Sequence, residues 1–245
     1  MVKGKRHRLD EELVAQGFFQ TTDEAMRAVM AGEVSTTDRR LERAGEQVRP
    51  GIELSVRSHG RFVSRGGMKL EHGLTHFGLD VAGMACLDVG CSTGGFTDCL
   101  LSHGAASVCA VDVGYAQFDG GLRQDGRVTL FERTNVCDLP SIISGTTFDL
   151  AVSDVSFTSV LTIAPAVAAL LREGGSFLTL VKPQFEAARD EVGAGGVVRD
   201  EDVRLACVQR VGEGLEALGF SVRGSCVSPI RGAKGNVEYL LLATR

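Results

Sequence analysis

Cys86-Leu87-Asp88-Val89-Gly90-Cys91-Ser92-Thr93-Gly94-Gly95-Phe96 decides how this chain is read: an apolar run breaks into a glycine-rich turn and restarts as a helix. Residues 85–89 suit a buried parallel strand, Gly90, Gly94 and Gly95 let the backbone approach a ligand, and residues 96–103 closed by Gly104 give a helix and its stop. Backbone N–H groups at such a helix start can hold an anionic group. The spacing Gly-x-x-x-Gly-Gly differs from the Gly-x-Gly-x-x-Gly of dinucleotide binders, so a nucleoside carrying an amino-acid carboxylate fits better than a pyrophosphate. A second apolar strand, residues 107–113, carries Asp112 about 20 residues past the loop, where a carboxylate can accept both hydroxyls of a ribose.

A chain of 245 residues with 44% hydrophobic content can bury one large core, or a mid-sized one with a small appendage. The formal net charge of -5 argues against a generally basic nucleic-acid binder, so RNA contacts must come from local patches. Seven cysteines with no Cys-x-x-Cys and no His/Cys cluster speak against a disulfide framework or a metal site, and for a reducing cytoplasm. Lys3, Lys5, Arg6 and Arg8 followed by Asp10, Glu11 and Glu12 lack the apolar core of a signal peptide. The longest uncharged stretch, residues 155–171, contains Pro165 and falls short of the roughly 20 apolar residues of a spanning helix, so it reads as a buried helix and no membrane partner is expected.

Toward the N-terminus, Leu9, Leu13, Val14 and Phe18, then Ala25, Ala28 and Val29, fall at helical spacing, with Thr22 as the expected N-cap of the second helix. Extended pieces around Val34, Val48 and residues 52–56 follow, with a Pro50-Gly51 turn. Two small helices and a hairpin are expected. Arg8-Leu9-Asp10, Gly17-Phe18, Ala25 and Ala31-Gly32-Glu33-Val34 resemble the RNA-binding domain named after ribosomal protein S-four. The resemblance implies binding of structured RNA, with phosphate contacts available from Lys3, Lys5, Arg6, Arg8, Arg27, Arg39, Arg40 and Arg43. Arg61 and Arg65 extend that set into a glycine-bearing linker at 60–66, between an RNA-binding domain at 1–59 and a second domain at 67–245. Basic residues at 57, 61, 65 and 69 would form one stripe if this stretch were helical.

From a helix at 68–77 onward, strands and helices alternate. Strands are expected near 85–90, 107–113, 128–132, 148–153, 176–181, 220–228 and 236–243, with helices near 94–103, 158–171 and 201–218. This is an α/β doubly wound, Rossmann-like sheet of seven mostly parallel strands, ending in a hairpin that inserts one antiparallel strand. Class I methyltransferases are similar in this arrangement. In open α/β sheets the site lies beyond the carboxyl ends of the strands, where Asp112, Asp154 and Lys182 fall. A lysine ending an apolar strand beside the acid of a neighbouring strand is unusual, since burial and neighbours decide whether it is a cation or a base. The plainer alternative makes Asp154 a helix cap and Lys182 a surface residue.

Ser64-Arg65-Gly66-Gly67 with Lys69, residues 88–96, Val111-Asp112-Val113-Gly114, Glu132-Arg133-Thr134-Asn135, Ser153-Asp154-Val155-Ser156-Phe157, Lys182-Pro183-Gln184-Phe185-Glu186, Gly196-Val197-Val198-Arg199-Asp200 and Gly235-Asn236-Val237-Glu238-Tyr239 resemble the TlyA family, in which an S-four-type domain is fused to an FtsJ-like methyltransferase. The resemblance implies a tetrad on Lys69, Asp154, Lys182 and Glu238, with S-adenosylmethionine as donor and ribosomal RNA cytidine 2′-hydroxyls as acceptors. It places the donor on Asp88, Gly90, Cys91, Ser92, Thr93, Gly94, Gly95, Phe96, Asp112, Val113, Asn135 and Asp154, and requires no metal. Within that frame Lys182 is expected as base, Asp154 and Glu238 as the acids that set its charge state, and Lys69 as the group that orients the hydroxyl. Cys137 and Asp119-Gly120 depart from the family pattern.

Amino-group methyltransferases carry Asn/Asp-Pro-Pro-aromatic after strand four, where this chain has Ser153-Asp154-Val155-Ser156-Phe157. Cytosine-C5 enzymes use a Pro-Cys nucleophile that is absent from this sequence. A non-catalytic ribosome-assembly factor is the remaining alternative of a different class. A haemolysin is disfavoured by the lack of a spanning segment or a strongly basic amphipathic helix.

Overall fold

The apolar run ahead of the glycine loop forms β1 (Ala85–Val89), four of whose five residues are buried, as a strand with neighbours on both sides and cover on both faces requires. The structure, a computed structural model, describes residues 6–19, 21–30, 32–36, 38–56 and 61–245. With β2 (Ser107–Val111), β3 (Val128–Phe131), β4 (Phe148–Ser153), β5 (Leu171–Val181), β6 (Ser221–Val227) and β7 (Tyr239–Thr244), β1 builds a seven-stranded sheet in the order β6-β7-β5-β4-β1-β2-β3. All pairings from β5 to β3 are parallel, and β7 runs antiparallel to both β5 and β6. The doubly wound sheet and its terminal hairpin are as expected. β5 begins at Leu171 and not near 176, because Gly174 donates its N–H to the carbonyl of Arg245 and a bulge opposite Phe148 absorbs the extra residues.

The helices are α1 (Gly66–Phe77), α2 (Gly95–Ser102), α3 (Gly120–Arg123), α4 (Leu139–Ile142), α5 (Val160–Leu170), α6 (Pro183–Glu186) and α7 (Glu201–Ala217). Alternate strand residues serve opposite faces of the sheet. Leu87, Phe177 and Leu241 pack under α5 and α7, while Cys86, Leu178 and Leu240 pack under α1 and α2. α1 lies unusually close to the sheet: a Cβ on Gly73 would come within 3.0 Å of Leu178 and 3.4 Å of Leu240.

The chain divides into two compact units, Met1–Gly60 and Arg61–Arg245. The first has helices Leu9–Ala15 and Thr22–Met30 over a core that includes Leu9, Leu13, Ala25, Val29, Leu41 and Val48. Its extended pieces form two separate two-stranded pairings, His7–Arg8 with Gln47–Val48 and Val34–Ser35 with Ser55–Val56, in place of a single hairpin. Thr22 is already helical. Thr21 caps this helix instead, accepting from Glu24 N–H while Glu24 Oε2 accepts from Thr21 N–H, a reciprocal capping box.

The segment expected as a linker belongs to the second unit from Arg61 onward. Phe62 is only 2% exposed, Val63 N–H donates to Asp98 Oδ2 at 2.8 Å, and α1 has begun by Gly66. Residues 61–65 are turns, so Arg61, Arg65 and Lys69 do not continue one helical stripe, and Arg57 lies outside the described residues. Among the described residues no helix is long and apolar enough to cross a membrane, and all seven cysteines are free thiols.

Candidate active site

Register brings the polar groups to one edge of the sheet. Val89 pairs with Ser153, Ser153 with Thr179, and Val181 with Tyr239. Gly90, Asp154, Lys182 and Glu238 each stand one residue beyond these partners, at the carboxyl edge of the parallel strands. They line a cleft of about 400 Å³ together with Lys69, from the first turn of α1, and the glycine loop.

Two ion pairs face this cleft. Lys69 Nζ is 2.6 Å from Glu238 Oε2, and Lys182 Nζ is 2.6 Å from Asp154 Oδ1. The aligned hydrogen bond of the Lys182 ammonium goes to Ser156 Oγ at 2.8 Å. Lys182 is 8% exposed and the helix after β4 is capped by Ser159, so neither the surface-lysine nor the Asp154-cap alternative holds. The expectation that Asp154 and Glu238 both govern Lys182 gives way to one acid per amine. Gly232 is the local reason, because a Cβ there would fall 1.8 Å from Glu238 Oε1 and its absence leaves the carboxylate room beside Lys69.

The glycine loop has the shape of a backbone cradle. Gly90 (φ +78°) and Gly94 (φ +95°) are left-handed, a Cβ on Gly90 would meet the carbonyl of Asp154 at 3.0 Å, and one on Gly95 would strike Ser64 Oγ at 2.1 Å. Gly94 brings no side-chain cap to α2. Of the residues named for the donor, Gly90, Cys91, Ser92, Thr93, Gly95, Phe96 and Asp154 line the cleft. Others of the expected set stand differently. Asp88 is fully buried beneath the loop, where its Oδ2 accepts from Thr97 Oγ1 at 2.6 Å and its Oδ1 has no partner among the described residues. Burial pushes its carboxyl up to about 7 against the pull of the Thr97 hydrogen bond. It braces α2 from below and does not line the cleft. Asp112 holds the loop from the side, accepting from Ser92 N–H at 2.8 Å and Gly114 N–H at 2.6 Å. Each oxygen keeps a lone pair for a ribose hydroxyl. Val113 is exposed, and Asn135 accepts from Cys137 N–H as the cap of a short 3₁₀ turn. These backbone and carboxylate positions fit a nucleoside with an amino-acid tail.

A model of the FtsJ-like methyltransferases matches residues 62–245, which hold the sheet and the cleft. The chain belongs to the FtsJ-like methyltransferase family. It is 41% identical over 239 residues to the "16S/23S rRNA (cytidine-2'-O)-methyltransferase TlyA" of Mycobacterium tuberculosis, covering 97% of this chain and 89% of that one. It is 38% identical to "Hemolysin A" of Brachyspira hyodysenteriae, covering 95% of this chain and 98% of that one. A solved structure from Streptococcus thermophilus that also carries a hemolysin name superposes with a TM-score of 0.76 at 41% identity, over 98% of this chain and 89% of that one.

In this FtsJ-like methyltransferase two side chains lining the cleft, Ser156 and Phe157, and a third that follows Phe185 in the chain, Glu186, were not singled out from the sequence. Ser156 receives the Lys182 hydrogen bond. Phe157 is 91% exposed with φ +64°, a left-handed conformation that is a true outlier for a bulky residue, and its ring lies 5.2 Å from that of Phe185. Glu186 accepts from Ser159 Oγ at 2.7 Å and Val160 N–H at 2.8 Å, so it ties the loop after Lys182 to the start of α5, and burial pushes its carboxyl up. The strained φ of Phe157 has no sequence signal at all.

The expected RNA contacts are arginines of exposed surface, but several are already paired. Arg8 bonds Asp10, Arg39 bonds Glu46 and Arg61 bonds Glu71. Arg39, Arg40 and Arg43 border one pocket with Glu42 and Glu46. Arg6, Arg27 and Arg65 are exposed, and Lys3 and Lys5 lie outside the described residues.

Proposed function

We propose that this chain methylates the 2′-hydroxyl of cytidine ribose in ribosomal RNA, with S-adenosylmethionine as donor, in the cytoplasm. The observation that carries the reading is the convergence of two lysine–carboxylate pairs beside a glycine-rich backbone cradle in a member of a methyltransferase family. The rRNA 2′-O-methyltransferase name of a relative at 41% identity supports the choice of acceptor.

A bound donor supplies an electrophilic sulfonium methyl. The glycine loop and Asp112 would hold the nucleoside end of that donor. A ribose hydroxyl is a poor nucleophile, so its proton must leave as its oxygen bonds the methyl carbon, whose bond to the sulfonium sulfur breaks with the electron pair returning to sulfur to leave a neutral thioether. Lys182 takes that proton once a proton of its resting ammonium has passed to solvent. The ammonium that results is stabilised by Asp154 at 2.6 Å and Ser156 at 2.8 Å. Lys69, anchored by Glu238, donates to the same oxygen as negative charge develops on it. Phe157, exposed at the mouth, offers a face on which the turned-out base can stack. The first unit is read as an S-four-type RNA-binding domain that adds phosphate contacts through its arginines.

The test is methyl transfer from labelled donor to ribosomal RNA. Lys182→Ala is expected to keep donor binding and lose transfer; turnover comparable to the parent would overturn the assignment. Mapping 2′-O-methyl marks in ribosomal RNA from cells with and without the gene identifies the nucleotide.

A further inference from the structure

The sequence sets Cys226 about 150 residues from His72 and His76, but the fold brings the three together. His72 and His76 lie four residues apart on α1, and therefore on one face. Cys226 on β6 comes up beneath them, and one ligand atom from each of the three lies within 4.8 Å of both others. We propose that His72, His76 and Cys226 form a site for one Zn²⁺ ion, with water as fourth ligand.

The donor set carries the choice of metal. Two imidazoles and one thiolate suit a borderline-soft, tetrahedral ion, and hard oxygen-seeking cations would gain little from them. Bond lengths near 2.0 Å to nitrogen and about 2.3 Å to sulfur put ligand atoms roughly 3.3–3.7 Å apart in a tetrahedron. Closing from 4.8 Å therefore takes about 1 Å of side-chain rotation. The surroundings allow it: His76 is exposed, and His72 and Cys226 are half-buried. The two imidazole rings already stand nearly parallel, 28° apart, with centroids at 6.1 Å. Among the described residues neither imidazole nor the Cys226 thiol makes a hydrogen bond, and the one ring contact besides their own is that of His76 edge-on to Phe77 at 4.8 Å. His76 occupies the last turn of α1, whose carbonyl end carries the negative pole of the helix dipole and favours a cation. No carboxylate among the described residues orients either ring, so micromolar affinity is expected, weaker than that of a structural zinc finger.

The position gives the ion a task. α1 carries Lys69 one turn before His72, and Cys226 lies two residues before Ser228, whose N–H donates to the carbonyl of Glu238 at 2.8 Å. An ion at this point clips the helix bearing Lys69 to the hairpin bearing Glu238, outside the cleft itself. It braces the pair without touching it.

The experiment uses the full chain without an affinity tag, stripped with chelator and titrated with Co²⁺ as a spectroscopic probe, then with Zn²⁺. Expected are one saturable site per chain, a thiolate-to-cobalt charge-transfer band with tetrahedral ligand-field bands, their loss on adding Zn²⁺, and a rise in Tm with the metal. Cys226→Ser should abolish the charge-transfer band, and both it and His76→Gln should weaken binding by about tenfold or more. Cys137→Ser, at the exposed thiol, should change neither. His76 is exposed, so His76→Gln tests the site even if the strand substitution unfolds the protein. Absence of the charge-transfer band in the parent chain, or unchanged affinity in His76→Gln, would overturn the proposal. Neither result bears on methyl transfer, which is assayed separately.

Discussion

Lys69 Nζ and Glu238 Oε2 stand 2.6 Å apart across a sequence separation of 169 residues, with both side chains nearly withdrawn from solvent. Removing one member of a buried pair leaves an uncompensated charge, at a cost of about 3–5 kcal/mol. Lys69→Met should therefore destabilise strongly, and adding Glu238→Gln should recover part of the loss. Urea denaturation of the two single variants and the double variant measures the coupling; strict additivity would mean that the contact contributes nothing as a pair.

Gly232 is the space into which the Glu238 carboxylate fits. A Cβ there would lie 1.8 Å from Oε1, so Gly232→Ala should push the acid away from Lys69. Methyl transfer is expected to fall about 100-fold, the scale of a displacement near 1 Å at a reacting centre. Donor affinity should hold, and measuring kcat and equilibrium donor binding on the same sample separates the two.

Asp88 predicts a pH dependence. Burial raises its folded carboxyl to about 7 from the ordinary aspartate value of 3.8. Between these limits the folded chain holds a proton that the unfolded chain releases, so this contribution is complete below the lower value and is lost as pH rises through about 7. Asp88→Asn keeps an acceptor for Thr97 and removes the titration. Its Tm should be flatter than that of the parent from about pH 5 to pH 8, and a parallel pair of curves would remove Asp88 as the cause.

Phe157 sits in a left-handed conformation with 91% of its surface in water. Such strain costs about 1–3 kcal/mol and marks sites of function. Phe157→Gly should thus raise Tm slightly, yet lower kcat/KM for ribosomal RNA by roughly tenfold through the lost stacking of a base. Unchanged kcat/KM would leave the ring without a part in substrate contact.

Much of this architecture is legible because buried parallel strands are written as continuous apolar runs, and those runs place Asp154 and Lys182 one residue past adjacent strand ends. The Lys69–Glu238 contact has no such signal. It depends on how closely α1 lies on the sheet and on the register of an antiparallel strand, and only the family likeness pointed to those two residues. Asp88 misleads for a different reason: an acid in a loop motif looks like a ligand contact until its burial is known. The His72–His76–Cys226 cluster escapes any local pattern, because one of its members arrives from the edge of the sheet about 150 residues later.

The reversed direction of β7 has a further consequence for how the rim of the cleft is furnished. A residue at the start of this strand reaches the same rim that every other strand reaches at its finish, so Glu238 joins Asp154 and Lys182 there from a chain running the opposite way. The Lys182–Asp154 pair rests on two neighbouring parallel strands, whereas Lys69 on α1 finds its counterion only through the hairpin.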